Sequence, residues 1–179
     1  WDRQPDGSYR GTAGGKALCV SQDHMEAAMD DPFWRAYFDL DRDYAAIREA
    51  LSASGPVLAK AAAFAPGIRI LQQDPWEALC SFIISQNNSI PRIKGIISRL
   101  CEAFGEEMEQ GVRCFPSPER LAGLEEEDLA YLRCGFRARY ILDAARKVAS
   151  GEVDLKALRT APLAQAREQL MTIVGVGPK

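Results

Sequence analysis

The pattern of apolar and polar positions changes character early in the chain. Residues 1 to 20 carry turn chemistry: Pro5-Asp6-Gly7 and Gly14-Gly15 break short segments that hold Tyr9 and Leu18-Cys19-Val20. Short segments between such breaks read as two or three antiparallel strands of an incomplete sheet. From Asp23 onward helical spacing replaces any period-two alternation, so residues 1–22 form a small sheet region and 23–179 a helical body. Asp31-Pro32 suits a helix start leading into Phe33, Trp34 and Tyr37. Asp43 suits another, through Ile47 and Leu51 to the Gly55-Pro56 break. Asp74-Pro75 repeats the arrangement before Trp76, Leu79, Cys80, Ile83 and Ile84, a run apolar enough to be buried. Ser89 is placed to cap a helix whose Ile93, Ile96, Ile97, Leu100, Cys101 and Phe104 share one stripe, with Gly105 at its C′ position. Ser117-Pro118-Glu119 opens a further helix. Arg137 to Ala149 forms another, with Tyr140, Ile141, Ala144, Ala145 and Val148 inward and Gly151 stopping it. A last helix runs from about Pro162 to Met171. The fold class is therefore mainly α, with a small β component (α+β).

At 179 residues, 47% hydrophobic and 26% charged, the chain can build an ordinary core without disulfides or metals. No apolar run approaches the ~18 residues of a membrane span. Cys19, Cys80, Cys101, Cys114 and Cys134 are odd in number and widely spaced, with His24 as the one histidine. That spacing predicts reduced thiols and no zinc site, with Cys80 and Cys101 as small core hydrophobes. A net charge of -3 and a pI near 5.3 speak against a nucleic-acid binder on bulk charge. The distribution says otherwise. Residues 85–101 hold Arg92, Lys94 and Arg99 and no acid, giving +3. Residues 131–147 hold five bases against Asp143, giving +4, and 102–128 between them hold nine acids and two bases, giving -7. The average therefore hides opposed surfaces.

Three motifs carry candidate chemistry. The chain ends in Ile173-Val174-Gly175-Val176-Gly177-Pro178-Lys179, an apolar-faced helix followed by a glycine turn and a proline suited to the first turn of a next helix. That is the pattern of a helix-hairpin-helix beginning near residue 162 and cut at 179, with exposed amides able to hold a phosphate. Carbonyls near Val174 could hold a monovalent cation in the same geometry. Lys179 reads from its position alone as a phosphate contact. The second motif is Ser85-Gln86-Asn87-Asn88-Ser89-Ile90-Pro91-Arg92, consecutive amides at a junction between two apolar helices. Capping by Asn88 and Ser89 accounts for it, as does a polar finger inserted into a duplex with Arg92 presented to a base edge. The third is Cys134-Gly135-Phe136-Arg137-Ala138-Arg139-Tyr140. Arginines at a helix N-terminus oppose the dipole, and a phosphate backbone would compensate them. Phe136 reads equally as a wedge between bases or as core.

Together these strings resemble one family, the eukaryotic-type 8-oxoguanine DNA glycosylase/AP lyases of the helix-hairpin-helix glycosylase superfamily. The resemblance runs from Trp1 to Lys179 and is densest at Asp74-Pro75-Trp76-Glu77, 85–92, 99–105, 115–117, 135–140 and 174–179. It implies a helix-hairpin-helix DNA glycosylase fold carrying the remnant of an N-terminal antiparallel sheet. It also implies base-excision repair of 8-oxoguanine opposite cytosine in duplex DNA by an intracellular monomer without a cofactor. By resemblance Lys179 is the nucleophile that attacks the sugar C1′ and forms a Schiff base, and Asn87 fills the gap left by the flipped nucleotide. Arg92 and Arg137 contact the base opposite the lesion, Phe136 stands where a tyrosine wedge is common, and Gly175 and Gly177 belong to the hairpin that grips the DNA. The family's catalytic aspartate falls beyond Lys179 and its lesion-reading glycine before Trp1, so the chain is expected to be an interior piece. The alternatives are an endonuclease III-type or alkylated-base glycosylase on the same fold, and a non-catalytic helix-hairpin-helix DNA-binding module.

Overall fold

A computed structural model of the chain describes residues 1–21, 30–108 and 113–178. Two compact units are present: residues 1–12 with 16–73, and residues 13–15 with 74–179. Three helices cluster with the sheet region, so the first unit extends to residue 73.

The first unit begins with strands β1 (Asp2–Arg3), β2 (Tyr9–Ala13) and β3 (Lys16–Val20), hydrogen-bonded in that order. Asp2 lies opposite Arg10 and Arg3 opposite Tyr9, antiparallel. Gly14 and Gly15 both have positive φ (53° and 75°), the requirement of the tightest two-residue hairpin. Gly11 is needed for a different reason: a Cβ there would sit 2.3 Å from Cδ2 of the Trp1 indole. Trp1 donates through Nε1 to the Tyr37 hydroxyl at 3.1 Å and packs with Trp34 and Phe38 in an aromatic cluster.

Helices α1 (Pro32–Tyr37), α2 (Tyr44–Ala53) and α3 (Pro56–Phe64) complete this unit. Asp31 accepts from the Phe33 amide at 2.7 Å and Asp43 from Ala46 at 3.0 Å, as their cap positions predict. Gly55-Pro56 is more than the expected break. Proline at N1 suits a helix start, and α3 begins there.

The second unit is built around α4 (Pro75–Ser85), whose Cys80, Ile83 and Ile84 are fully buried. Asp74 accepts from the Trp76 and Glu77 amides, both at 3.0 Å, and the Trp76 indole donates to the Pro116 carbonyl at 2.9 Å. Helix α4 packs against α5 (Ile90–Phe104), α7 (Arg137–Ala149) and α8 (Leu155–Leu158). A 3-10 helix (Glu127–Leu132) lies on α5, and α6 (Pro118–Ala122) lies on α7, with Ser117 accepting from Arg120. Ile96, Leu100, Leu121, Leu129, Leu132, Ile141, Ala144, Ala145 and Ile173 close the core. Each buried leucine or isoleucine here contributes about 1.5–3 kcal/mol. The last helix, α9, spans Leu163–Leu170.

Two cap expectations fail for identifiable reasons. Ser89 makes no side-chain cap to α5: Pro91 at the second helical position has no N–H, and the hydroxyl does not take the Arg92 amide either. Gly105 has an extended backbone (φ -73°, ψ 148°), not the left-handed C′ conformation. It is glycine because a Cβ would lie 2.0 Å from the Cys114 carbonyl oxygen. All five cysteines are free; Cys80 and Cys134 are buried and Cys101 is half-buried. Burial, then the Glu77 carboxylate, pushes the Cys101 thiol up to about 12.

Candidate nucleic-acid interface

The amide motif forms the turn between α4 and α5. Asn87 is exposed and sits at φ 46°, a left-handed conformation that asparagine tolerates better than most residues. Asn88 donates to the Ile84 carbonyl at 3.0 Å while its Oδ1 accepts from the Ser89 amide at 3.0 Å. Asn88 thus occupies itself with capping and leaves Asn87 as the projecting amide. Gln86, at the end of α4, reaches in another direction: its Nε2 donates to the Gly175 carbonyl at 2.9 Å.

Arg137 sits at the start of α7, where its charge opposes the helix dipole, and is only 3% exposed. The expected compensation by phosphate is replaced by backbone carbonyls. Nε donates to Gln86 at 3.0 Å, Nη2 to Asn87 at 3.0 Å and also to Gln86, and Nη1 to Cys134 at 3.1 Å. Its guanidinium therefore shapes the Asn87 turn. Arg92 is exposed and donates to the Arg133 carbonyl at 3.3 Å, and Arg99 donates to the Leu132 carbonyl at 2.8 Å. Three arginines thus satisfy the carbonyls at the C-terminal end of the 3-10 helix, where cations and donors are favoured. Between them and α7, Arg133 and Gly135 turn the chain with φ 54° and 62°.

Phe136 follows that turn and is 48% exposed. It stands edge-to-face on Tyr140 at 5.5 Å, with the Arg137 guanidinium carbon 4.5 Å from its ring centroid. An aromatic side chain held this way on two sides and open on a third can stack on a base with little ordering cost.

The hairpin turn is organised from α7. Ile173 is buried and the Val176 amide returns to its carbonyl at 3.1 Å. Gly175 has φ 85°, and a Cβ would meet Cδ2 of Tyr140 at 2.3 Å. One turn along α7, Asp143 accepts from the Val174 amide at 2.7 Å. Lys147 pairs with Asp143 at 3.2 Å and donates to the Thr172 carbonyl. The Gly175 and Gly177 amides make no hydrogen bond among the described residues, so two donors alternate with two that are spent. Gly177 differs from Gly175. Its φ is not positive and an added Cβ would meet nothing within 4 Å, so what its missing side chain gives is access. Lys179 lies outside the described residues.

The structure therefore joins the amide turn, Phe136-Arg137 and the glycine turn through direct contacts, with Arg92 beside them. Asp143 and Lys147 are organising residues that the motifs alone did not single out, and their spacing from Tyr140, which ends the third motif, along one side of α7 is the signal they left. Among the described residues there is no group of three His, Cys, Asp or Glu side chains able to hold a metal ion, and no helix long and apolar enough to cross a membrane.

Known proteins are similar in sequence and fold. Residues 1–79 match the family described as the N-terminal domain of 8-oxoguanine DNA glycosylase, and residues 80–177 match the HhH-GPD superfamily of base excision DNA repair proteins. An N-glycosylase/DNA lyase of Saccharomyces cerevisiae is 40% identical over 128 residues, covering 63% of this chain and 34% of the relative. The solved chain called MBOgg1, in complex with a low-affinity DNA ligand, superimposes with a TM-score of 0.88 at 46% identity, covering 99% of this chain and 65% of that one. The Clostridium acetobutylicum 8-oxoguanine glycosylase/lyase, solved with double-stranded DNA containing cytosine opposite 8-oxoG, gives 0.84 at 35% identity, covering 99% and 64%. The chain thus spans about a third of the yeast relative and just under two thirds of these solved chains. With a mainly helical fold, a small N-terminal sheet and a glycine turn set against an amide finger, the chain belongs to the HhH-GPD superfamily of base excision DNA repair proteins, in its 8-oxoguanine DNA glycosylase branch.

Proposed function

We propose that the protein containing this chain excises 8-oxoguanine from duplex DNA as a combined glycosylase and AP lyase. The observation that carries the proposal is the juxtaposition of three DNA-directed motifs, fixed by the 2.9 Å bond from Gln86 to Gly175 and by the bonds from Arg137 to the Gln86 and Asn87 carbonyls. A backbone phosphate meets the open Gly175 and Gly177 amides. Asn87 enters the stack where the damaged nucleotide leaves it, and Phe136 wedges beside it, offsetting part of the few kcal/mol that extrusion costs. Arg92 and Arg137 face the base opposite the lesion, cytosine in this proposal. Arg137 must exchange carbonyl bonds to do so.

Lys179 supplies the nucleophile. Its neutral ε-amine attacks C1′ and the base departs with the C1′–N9 electron pair and a proton; the nitrogen lone pair then opens the C1′–O4′ bond, O4′ taking a proton, and the resulting Schiff base acidifies the C2′ proton so that β-elimination expels the 3′ phosphate. A lysine in this role needs a depressed pKa, the direction in which burial and neighbouring cations move an amine. The amine itself forms the covalent intermediate, so the reaction calls for no organic cofactor. A monovalent cation at the hairpin carbonyls near Val174 belongs to the same proposal, because a carbonyl that accepts one hydrogen bond keeps a second lone pair. The acting species is a monomer on DNA, in the nucleoid of a bacterium or the nucleus of a eukaryote.

Borohydride reduction of the complete protein with duplexes containing 8-oxoguanine opposite each base tests this. The expected result is a covalent adduct, strongest opposite cytosine and absent in Lys179→Gln. Persistence of the adduct in Lys179→Gln overturns the assignment of the nucleophile. Ordinary duplex binding without any adduct points to the non-catalytic module, and release of alkylated bases without an adduct points to an alkylation enzyme.

A further inference from the structure

Gln86 occupies a position that none of the proposed chemical roles uses. It ends α4, with its amide donating to Ile83 at 3.3 Å and its backbone leaving the helix at φ -58°, ψ 121°. Its carbonyl takes two bonds from Arg137, and its side chain crosses 89 positions of sequence to the Gly175 carbonyl. Asn88, two residues on, satisfies its amide locally within α4 and the turn.

The peptide that Gln86 holds is the one between Gly175 and Val176. Its N–H already donates to Ile173 at 3.1 Å, so the Gln86 bond fixes the plane from its other edge. The peptides on either side carry the unspent Gly175 and Gly177 amides. Because a peptide is planar and rigid, pinning the central plane anchors both neighbours at one end and leaves only φ and ψ at Gly175 and Val176 to orient them. Gly175 at φ 85° and Gly177, with open space around it, have little steric restraint of their own beyond the Tyr140 ring. A fixed plane between them is what turns two mobile donors into a pair.

We propose that Gln86 is a positioning residue that locks the hairpin peptide to the Asn87 turn, so that the phosphate-binding amides and the inserted asparagine keep one spacing. The proposal rests on the DNA-repair reading above and deepens it. A donor is required: the Gly175 oxygen can only accept, and the side chain must reach from the end of α4. Glutamate has the same length but, when ionised, presents an oxygen to an oxygen; protonated, it donates again. Methionine fills similar volume without donating.

The test uses the complete protein and a duplex carrying a tetrahydrofuran abasic analogue, which binds without reacting. Loss of one neutral hydrogen bond predicts about threefold to tenfold weaker binding for Gln86→Met at every pH. Gln86→Glu is expected to bind more weakly than Gln86→Met at pH 7.5 and to recover toward wild type as pH falls through the range in which its carboxyl protonates. Single-turnover excision at saturating DNA should fall less than affinity does. Amide hydrogen exchange at Val176, followed by NMR in the free protein, should accelerate in both variants. Wild-type affinity in both variants, or a Gln86→Glu defect that does not change with pH, overturns the proposal. So does unchanged Val176 exchange, which reads the lock even if one variant folds poorly. Failure of the wild type to form a borohydride adduct overturns the repair reading instead, and leaves the exchange and pH measurements to judge Gln86.

Discussion

Asp143 accepts a hydrogen bond from the Val174 amide at 2.7 Å, 31 positions away in sequence, and holds the entry to the glycine turn against α7. The same carboxylate pairs with Lys147, whose amine also donates to the Thr172 carbonyl. Two side chains one helical turn apart thus grip consecutive peptides of the incoming segment, one by its donor and one by its acceptor. Asp143→Ala releases the amide and leaves Lys147 with the Thr172 carbonyl but no carboxylate. A hydrogen bond to a charged group contributes about 1.5–3 kcal/mol, and the site is partly exposed, so a loss of about 1–2 kcal/mol is expected in urea unfolding. Asp143→Asn, which keeps an acceptor, should lose less than half of that.

Gly175→Ala should cost more. The position combines φ 85° with a Cβ site 2.3 Å from the Tyr140 ring, so strain and clash act together. A left-handed conformation alone costs a non-glycine residue about 1–2 kcal/mol. The clash adds to it unless Tyr140 moves, and Tyr140 supports Phe136 at 5.5 Å. The expected outcome is a loss of at least about 2 kcal/mol together with weaker duplex binding. Combining Gly175→Ala with Tyr140→Ala should recover the clash portion only, which a double-mutant cycle in unfolding and binding reads directly.

What the sequence reveals here divides by range. Asp31, Asp43, Asp74 and Ser117 act as caps within three residues of themselves, and each was legible as one. The inward stripe of α7 was legible for the same reason, since helical spacing is a local property. Arg137 was not: its acceptors at Gln86 and Asn87 lie 51 and 50 positions away, and only the packed fold brings those carbonyls to a buried guanidinium. Pro56 was read as an interruption because proline ends and starts helices with the same letters. Gly105 was legible as a required glycine but for the wrong cause, since its close neighbour, the Cys114 carbonyl, belongs to a loop whose course the helix pattern does not contain.

Glu77 offers a pH test of the second unit. Burial first, and then the neighbouring Asp74 carboxylate, hold the Glu77 carboxyl above its ordinary range. An acid with a raised pKa in the folded state is favoured there in its protonated form. Its ionisation therefore costs stability at neutral pH, and the cost fades as pH falls through the folded-state value and is gone below the unfolded value near 4.3. Glu77→Gln should be more stable than wild type at pH 7, with the difference shrinking to nothing by about pH 4. Equal stability at pH 7, measured by urea unfolding, would remove burial as the dominant influence on this side chain.

Arg92 and Arg137 are assigned the same task on DNA but are placed very differently, and that difference is measurable without DNA. Arg137 is buried, and its removal strands the Gln86, Asn87 and Cys134 carbonyls. Only the Cys134 bond is buried, and those to Gln86 and Asn87 are partly buried. A buried acceptor left unsatisfied costs about 1–3 kcal/mol and a partly exposed one less, so Arg137→Met should lower stability by about 2–3 kcal/mol and speed amide exchange around Asn87. Arg92 is exposed and gives one 3.3 Å bond to the Arg133 carbonyl. Arg92→Ala should change stability by no more than about 0.5 kcal/mol. On duplexes carrying the lesion, Arg92→Ala is then expected to relax the preference for the opposite base while leaving the fold intact. Arg137→Met should weaken binding to every duplex, because the turn that carries Asn87 is no longer held, and relax the preference for the opposite base as well. A variant of Arg137 with wild-type stability and an isolated change in opposite-base preference would show that its carbonyl bonds are dispensable and that the base contact is its whole role.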